Sequence, residues 1–154
     1  MKILVDADAC PVIKKVEKIA KKNNIKVILL SDTNHELTSN YSTIIKVSPG
    51  MDATDFKIVS MCEKNDIVVT QDYGLAALIL SKHGHPIHQS GKIYTNENID
   101  YMLMSRYITK RNKAKGIKTR SGSKKAKKRQ TYDYDFEESL TKLIKESTQK
   151  EITV

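Results

Sequence analysis

Two continuous apolar runs, Val27-Ile28-Leu29-Leu30 and Ile67-Val68-Val69, constrain this chain more than any other feature. A strand with no polar position in either register has no face to give to water. It must be covered on both sides, as strands of parallel sheets are. The neighbouring segments supply the cover. Lys2 to Asp6 reads as a first strand. Pro11, whose fixed φ suits a first helical turn, is followed by Val12, Val16, Ile19 and Ala20 at helical spacing. Asn23-Asn24 breaks that helix, and Lys26 to Leu30 is the second strand. Thr43 to Val47 reads as a third strand, stopped by Ser48-Pro49-Gly50. A helix from near Asp52 is expected to turn Phe56, Val59 and Cys62 inward. Asp66 to Thr70 is a fourth strand, Gly74 to Ser81 a short helix and Pro86 to His88 a short fifth strand. Asn96 to Lys110 is a helix with Ile99, Leu103 and Tyr107 on one stripe. Asp133 to Glu146 is a last helix with Phe136, Leu140, Leu143 and Ile144 facing the core. No internal repeat interrupts the alternation. Strands alternating with helices predict an α/β three-layer sandwich with a mainly parallel central sheet. Ligands of such sheets sit outside the carboxyl ends of the strands.

At 154 residues and 39% hydrophobic, the chain has enough apolar surface for one core and too little length for a second full domain. Its apolar runs fall far short of the roughly 20 residues of a membrane span. The opening MKILVDAD reads as a strand, so no membrane association and a cytoplasmic location are expected. Cys10 and Cys62 lack metal-ligand spacing and read as reduced thiols, Cys62 in the core. A helix start beside Cys10 could lower its thiol pKa, but no base stands at readable spacing.

The net charge of +9 is local. Lys110, Arg111, Lys113, Lys115, Lys118, Arg120, Lys124, Lys125, Lys127, Lys128 and Arg129 fall in one stretch without an acid. Outside it, 16 basic residues face 18 acidic ones. The polar residues from Asn112 to Lys128, with Gly116 and Gly122, have no face to bury and read as a loop. The expected organisation is a core over 1–111, a flexible basic loop over 112–130 and a C-terminal helix over 131–154 packed on the core. The basic stretch could bind phosphates, with Tyr107, Tyr132 and Tyr134 as stacking surfaces, which makes RNA the expected partner. Its plain alternative is a solvated linker.

Chemistry is expected where three segments bring carboxylates to one sheet edge. Asp6 ends the first strand and Asp8 follows two residues later, on the same face. Asp52 and Asp55 open a helix three residues apart, again on one face, and Asp55 continues into the apolar stripe. Asp72 ends the fourth strand. Crowded carboxylates repel unless protons or cations intervene, and all-oxygen donors suit Mg²⁺ or Mn²⁺. Such an ion supports hydrolysis of a phosphodiester. Asp52, Asp55 and Asp72 also sit where helix caps are common, so each has a purely structural reading as well. For Asp6 a structural reading also stands, but the site reading outweighs it, because an acid ending an apolar central strand is costly to bury without a partner. His83, His85 and His88 straddle Gly84 and Pro86 without helical spacing and do not read as a ligand set.

Asp6-Ala7-Asp8-Ala9-Cys10-Pro11-Val12, Gly50-Met51-Asp52-Ala53-Thr54-Asp55, and Asp66 to Asp72 followed by Leu75-Ala76 occur in this order and spacing. With these motifs the chain resembles the YaiI/YqxD family of uncharacterised bacterial proteins, over about its first 110 residues and more weakly to the end. The resemblance implies a PIN-like fold, a group in which clustered acids commonly bind Mg²⁺ or Mn²⁺ for ribonuclease or flap-type nuclease activity. On that reading Asp6, Asp52, Asp55 and Asp72 match the PIN-like acids and hold the ion, with Asp6 and Asp72 acting in catalysis; Asp8, an addition of the YaiI/YqxD family itself, is expected to join them by orienting a metal-bound water. The chain departs from the family pattern at His88-Gln89-Ser90-Gly91 and at Ser121-Gly122-Ser123-Lys124.

Two rivals remain at the level of sequence. A haloacid-dehalogenase-like phosphatase would use Asp6 as nucleophile, with Ser31 or Thr33 supplying a second-strand hydroxyl. Pro11 leaves that enzyme type no room for its usual inserted flap. A non-catalytic RNA- or ribosome-associated module would bind through the basic stretch while the acids cap helices.

Overall fold

A computed structural model describes residues 1–32, 36–116 and 135–152. Five strands, β1 (Lys2–Asp6), β2 (Lys26–Asp32), β3 (Thr43–Val47), β4 (Ile67–Val69) and β5 (His85–Ile87), form one sheet in the order β3-β2-β1-β4-β5. All four pairings are parallel. The helices are α1 (Ile13–Lys22), α2 (Ala53–Met61), α3 (Tyr73–Ser81), α4 (Asn96–Ala114) and α5 (Phe136–Ile152). The result is the α/β three-layer sandwich that the alternation predicts.

The apolar runs behave as the pattern requires. Val27, Ile28, Leu29 and Leu30 are all buried, as are Ile67, Val68 and Val69. Strand alternation divides them between two cores. Ile3, Val5, Val27, Leu29, Ile67 and Val69 pack against α1 and α5 through Val16, Ile19, Leu140 and Leu143. Leu4, Ile28, Leu30 and Val68 pack on the other face against Ile58, Cys62, Leu75 and Ile79 of the α2 and α3 segments. The Asn pair ends α1 by two mechanisms. Asn23 Nδ2 donates to the Ile19 carbonyl at 2.8 Å, and Asn24 takes a left-handed φ of 55°.

Three expectations are corrected. Phe56 does not turn inward and is 71% exposed. The inward stripe of α2 runs Asp55–Ile58–Cys62, and Phe56 lies about 200° around the helix from Ile58. Tyr107 is likewise exposed, although Ile99 is buried and Leu103 half-buried. The cause is length. With 19 residues α4 spans about 28 Å, against about 14 Å for the 9-residue α3 it packs on, so its second half outruns its partner. Finally, α4 continues four residues beyond Lys110, so Asn112, Lys113 and Ala114 are helical rather than loop. Nothing in Arg111 to Lys115 breaks a helix. Gly116, at φ +72°, supplies the left-handed turn that ends it. Smaller shifts are that α1 begins at Ile13, β5 sits one residue early, and α5 runs from Phe136, with Asp135 accepting from the Glu137 and Glu138 amides. Among the described residues no helix is long and apolar enough to cross a membrane.

Candidate functional site

The register of the sheet decides which acids meet. Asp6 pairs with Leu30, and Val5 with Val69, so β1 and β4 end within a residue of one level and β2 runs two residues further, to Asp32. Asp6 shares the parity of Leu4, Thr70 that of Val68 and Asp32 that of Leu30, so all three side chains emerge on the α2/α3 face. There Thr70 Oγ1 donates to Asp6 Oδ2 at 3.4 Å, and the Asp72 amide donates to Thr70 Oγ1 at 3.0 Å. Asp72 is also the N-cap of α3. Its Oδ1 accepts from the Gly74 amide at 2.8 Å and the Leu75 amide at 3.3 Å. Asp55, in the first turn of α2, stands one turn ahead of buried Ile58 and so looks over the sheet edge. Asp8 lies past the strand, where its Oδ2 accepts from the Asp32 amide at 3.4 Å.

The expected acids therefore converge. Asp6, Asp8, Asp52, Asp55 and Asp72 line one open cleft of about 720 Å³, together with Asp32, Tyr73 and Arg106. That volume accommodates a nucleotide-sized ligand. The capping readings divide. Asp72 is a cap as well as a cleft residue, whereas Asp52 makes no side-chain cap bond, is exposed and sits at φ 60°, a left-handed turn that Asp tolerates better than most residues.

The charges of the cleft oppose one another. Burial pushes the Asp6 carboxyl up to about 6, helped by the charges of Asp55, Asp8 and Asp72 and opposed by the Thr70 hydroxyl. Asp55 is also pushed up to about 6, by burial first, then by the charges of Asp72 and Asp52 and by a hydrogen bond it shares with Asp72. Such a set fits a hard divalent cation by donor chemistry, since every donor is an oxygen and the charge to be neutralised is large. Among the described residues no three His, Cys, Asp or Glu are disposed to hold one ion together. Mg²⁺ commonly takes one or two carboxylates and completes its shell with water and substrate phosphate, so pairs such as Asp55 and Asp72 meet its needs.

Tyr94 braces the floor. It is 2% exposed, its hydroxyl donates to the Thr70 carbonyl at 3.2 Å, and its ring stands edge-on to Tyr73 at 6.1 Å and to His88 at 6.3 Å. Gln71 ties two loops beside the cleft, donating to the Ala9 carbonyl at 3.3 Å and to Gln89 Oε1 at 2.7 Å. Burial raises the Cys10 thiol instead of leaving it reactive, and Cys62 is raised to about 11 in the core.

The basic stretch is only partly visible. Lys110, Arg111, Lys113 and Lys115 lie on α4 or at its end, and of these Lys110 and Lys113 line a second cleft. Lys118, Arg120, Lys124, Lys125, Lys127, Lys128 and Arg129 lie outside the described residues, as do Thr33, Tyr132, Tyr134 and the segment 121–124. The hydroxyl that a dehalogenase-like phosphatase would need at Ser31 faces away from Asp6. Ser31 shares the parity of Leu29 and is buried on the α1/α5 side.

Residue-level reading missed Asp32 and Arg106. Asp32 was within reach, because it stands two residues past Leu30 in an unbroken strand and so emerges on the Asp6 side. Arg106 had no signal of its own, since only the docking of α4 on α3 brings it to the cleft.

Comparison with known proteins agrees with the motif order. The family described as "Uncharacterized BCR, YaiI/YqxD family" matches residues 4–146. A UPF0178 protein of Clostridium acetobutylicum is 50% identical over 145 residues, covering 94% of this chain and 97% of the relative. One from Lachnoclostridium phytofermentans is 52% identical over 146 residues, with the same coverage. One from Alkaliphilus oremlandii is 45% identical over 150 residues, covering 97% of this chain and 95% of the relative. No solved structure matches. With its motifs, its length and nearly all of its sequence accounted for, the chain belongs to the YaiI/YqxD family.

Proposed function

We propose that the acidic cleft is a metal-dependent phosphodiesterase site acting on RNA. The observation that carries this reading is the delivery of carboxylates from β1, the start of α2 and the start of α3 to one open cleft, where burial and mutual repulsion push Asp6 and Asp55 up to about 6. Carboxylates placed so unfavourably are a recurring property of functional sites.

Asp55 and Asp72 would hold a Mg²⁺ or Mn²⁺ ion directly, with Asp6 reaching it through a retained water and Asp52 at the exposed rim. When bound, the ion supplies Lewis-acid charge to phosphate oxygens and makes water more acidic. Asp8, beside Asp6 at the end of β1, orients the attacking water. The proton released as water oxygen bonds to phosphorus passes to the Asp6 or Asp8 carboxylate. One P–O bond breaks, and the departing alkoxide takes a proton from solvent. Arg106 is the basic side chain of the cleft lining and pairs with the phosphate, whose negative charge the carboxylates would otherwise repel.

Titration calorimetry with Mn²⁺ and cleavage of a labelled RNA panel, for the natural sequence and for Asp6→Asn, test the reading together. The expected result is metal binding and RNA cleavage that are both lost in the variant. Absence of both in the natural sequence would leave a non-catalytic RNA-binding module. Metal binding with every RNA intact would redirect the site to another phosphate ester.

A further inference from the structure

A second cleft, of about 850 Å³, opens beside the acidic one and shares Tyr73 and Arg106 with it. Its character is opposite. One wall is a single face of α4, where Met102, Arg106 and Lys110 follow at four-residue steps and Lys113 comes three later. Tyr101, Ser105 and Thr109 run alongside at the same spacing. The other wall is the turn after β5, with His88, Ser90 and Lys92. That turn is set by hydrogen bonds, His88 Nδ1 meeting Ser90 Oγ at 2.8 Å and accepting from the Ser90 amide at 3.0 Å. No acidic residue lines this trough, which carries four cationic side chains and an aromatic ring, Tyr101, that is 76% exposed.

Aligned cations beside exposed aromatic rings, with hydroxyls between them, are the elements of single-strand recognition. The cations follow phosphates, and each unpaired base offers a face to a ring. From Tyr101 to Lys113 the α4 face runs about 18 Å. At about 3.4 Å of helix axis per nucleotide of a stacked strand, that reaches some five nucleotides, and extended strands cover it with fewer. The trough meets the acidic cleft at Tyr73 and Arg106.

We propose that this trough is the path along which a single-stranded nucleic acid enters the acidic cleft. One base stacks on Tyr101, the phosphates follow Lys92, Lys110 and Lys113, and Arg106 holds the phosphate at the junction. The binding path stands on the trough alone; what happens to the strand at its acidic end rests on the phosphodiesterase reading.

The test measures fluorescence anisotropy of a short fluorescein-labelled oligouridylate across a NaCl series, with EDTA present so that no cleavage can occur. The full chain is used throughout. Tyr101→Ala is expected to weaken binding roughly five- to hundredfold without changing the salt dependence, since it removes stacking and no charge. Lys92→Ala and Lys110→Ala are each expected to lower the slope of log affinity against log salt by about 0.7. Lys145→Ala, on exposed α5 across the sheet, is the control and leaves both quantities unchanged. Oligothymidylate binds comparably, because stacking and phosphate contact do not read the 2′-hydroxyl, while a duplex of the same length binds much more weakly. Tyr101→Ala and Lys110→Ala binding like the natural sequence, or a duplex binding as tightly as the single strand, would overturn the proposal.

The two readings fail separately. If the trough variants behave as expected yet RNA stays intact with Mn²⁺, the path stands and the phosphodiesterase reading falls. If RNA is cleaved and both variants keep an unchanged KM, the path falls and the phosphodiesterase reading stands.

Discussion

Asp6 and Asp55 keep their protons up to about pH 6, well above the ordinary carboxylate range. Between about pH 4 and 6 the folded chain therefore holds protons that the unfolded chain has released. Stability falls as pH rises through that window and stays lower above it. Asp6→Asn removes the charge while its amide oxygen can still accept from Thr70. It should raise Tm at pH 8 and change it little at pH 4, by thermal melts at both values. A lower Tm at pH 8 would mean that the ionised Asp6 stabilises the fold. The same residue couples stability to the proposed ion. At 100 times its Kd, Mn²⁺ should stabilise the natural sequence by about 2.7 kcal/mol at pH 8. The gain should shrink below pH 6, where protons compete for Asp6 and Asp55, and vanish in Asp6→Asn. The pairing of Asp6 with Asp55 was legible in sequence, because strand and helix periods fix the faces on which they stand. The height of their pKa values was not, since it depends on how closely β1, α2 and α3 crowd together.

Elements decide how far a residue's two roles can be separated. Asp72 caps α3 through Gly74 and Leu75 and also lines the cleft, so Asp72→Ala loses both functions. Asp72→Asn keeps an acceptor oxygen for the cap. Urea unfolding should show Asp72→Ala less stable by about 1 kcal/mol and Asp72→Asn nearly unchanged, while both lose Mn²⁺ binding. Equal destabilisation would mean that the charge, rather than the cap, holds the start of α3. At the other end of α3, Gly84 lets the chain turn into β5 against its neighbours. A Cβ there would lie 2.7 Å from Ile79 Cγ2, 3.1 Å from Cys62 Sγ and 3.3 Å from the Asp66 carbonyl oxygen. Gly84→Ala should cost about 1–3 kcal/mol by the same measurement, with RNA affinity unaltered. The strand–helix alternation and the four core positions of α5 were readable because each follows a buried period. Phe56 and Tyr107 were misread for a tertiary reason: an apolar side chain at helical spacing is buried only where a neighbouring element reaches it, and neighbour lengths are not written in local pattern.

At the scale of the whole molecule, the charge distribution sets a problem that the fold must solve. A cleft lined by six aspartates repels the phosphates it is proposed to act on. At physiological salt, attraction from exposed cations fades beyond about 8 Å, so distant lysines can gather a polyanion but cannot seat it. On the proposed reading, seating falls to Arg106, which lines both clefts, and gathering to the basic residues that follow α4 in the sequence. This division can be measured. Replacing Lys118, Arg120, Lys124, Lys125, Lys127, Lys128 and Arg129 with Ser removes seven of the nine net positive charges and leaves the trough intact. If all seven meet phosphates, the slope of log affinity against log salt should flatten by about 5, and the four trough cations should keep a residual slope of about −3. Anisotropy titrations of oligouridylate across the NaCl series read both numbers. An unchanged slope would take the seven residues out of RNA binding. A slope near zero would show that the stretch, and not the trough, carries the strand.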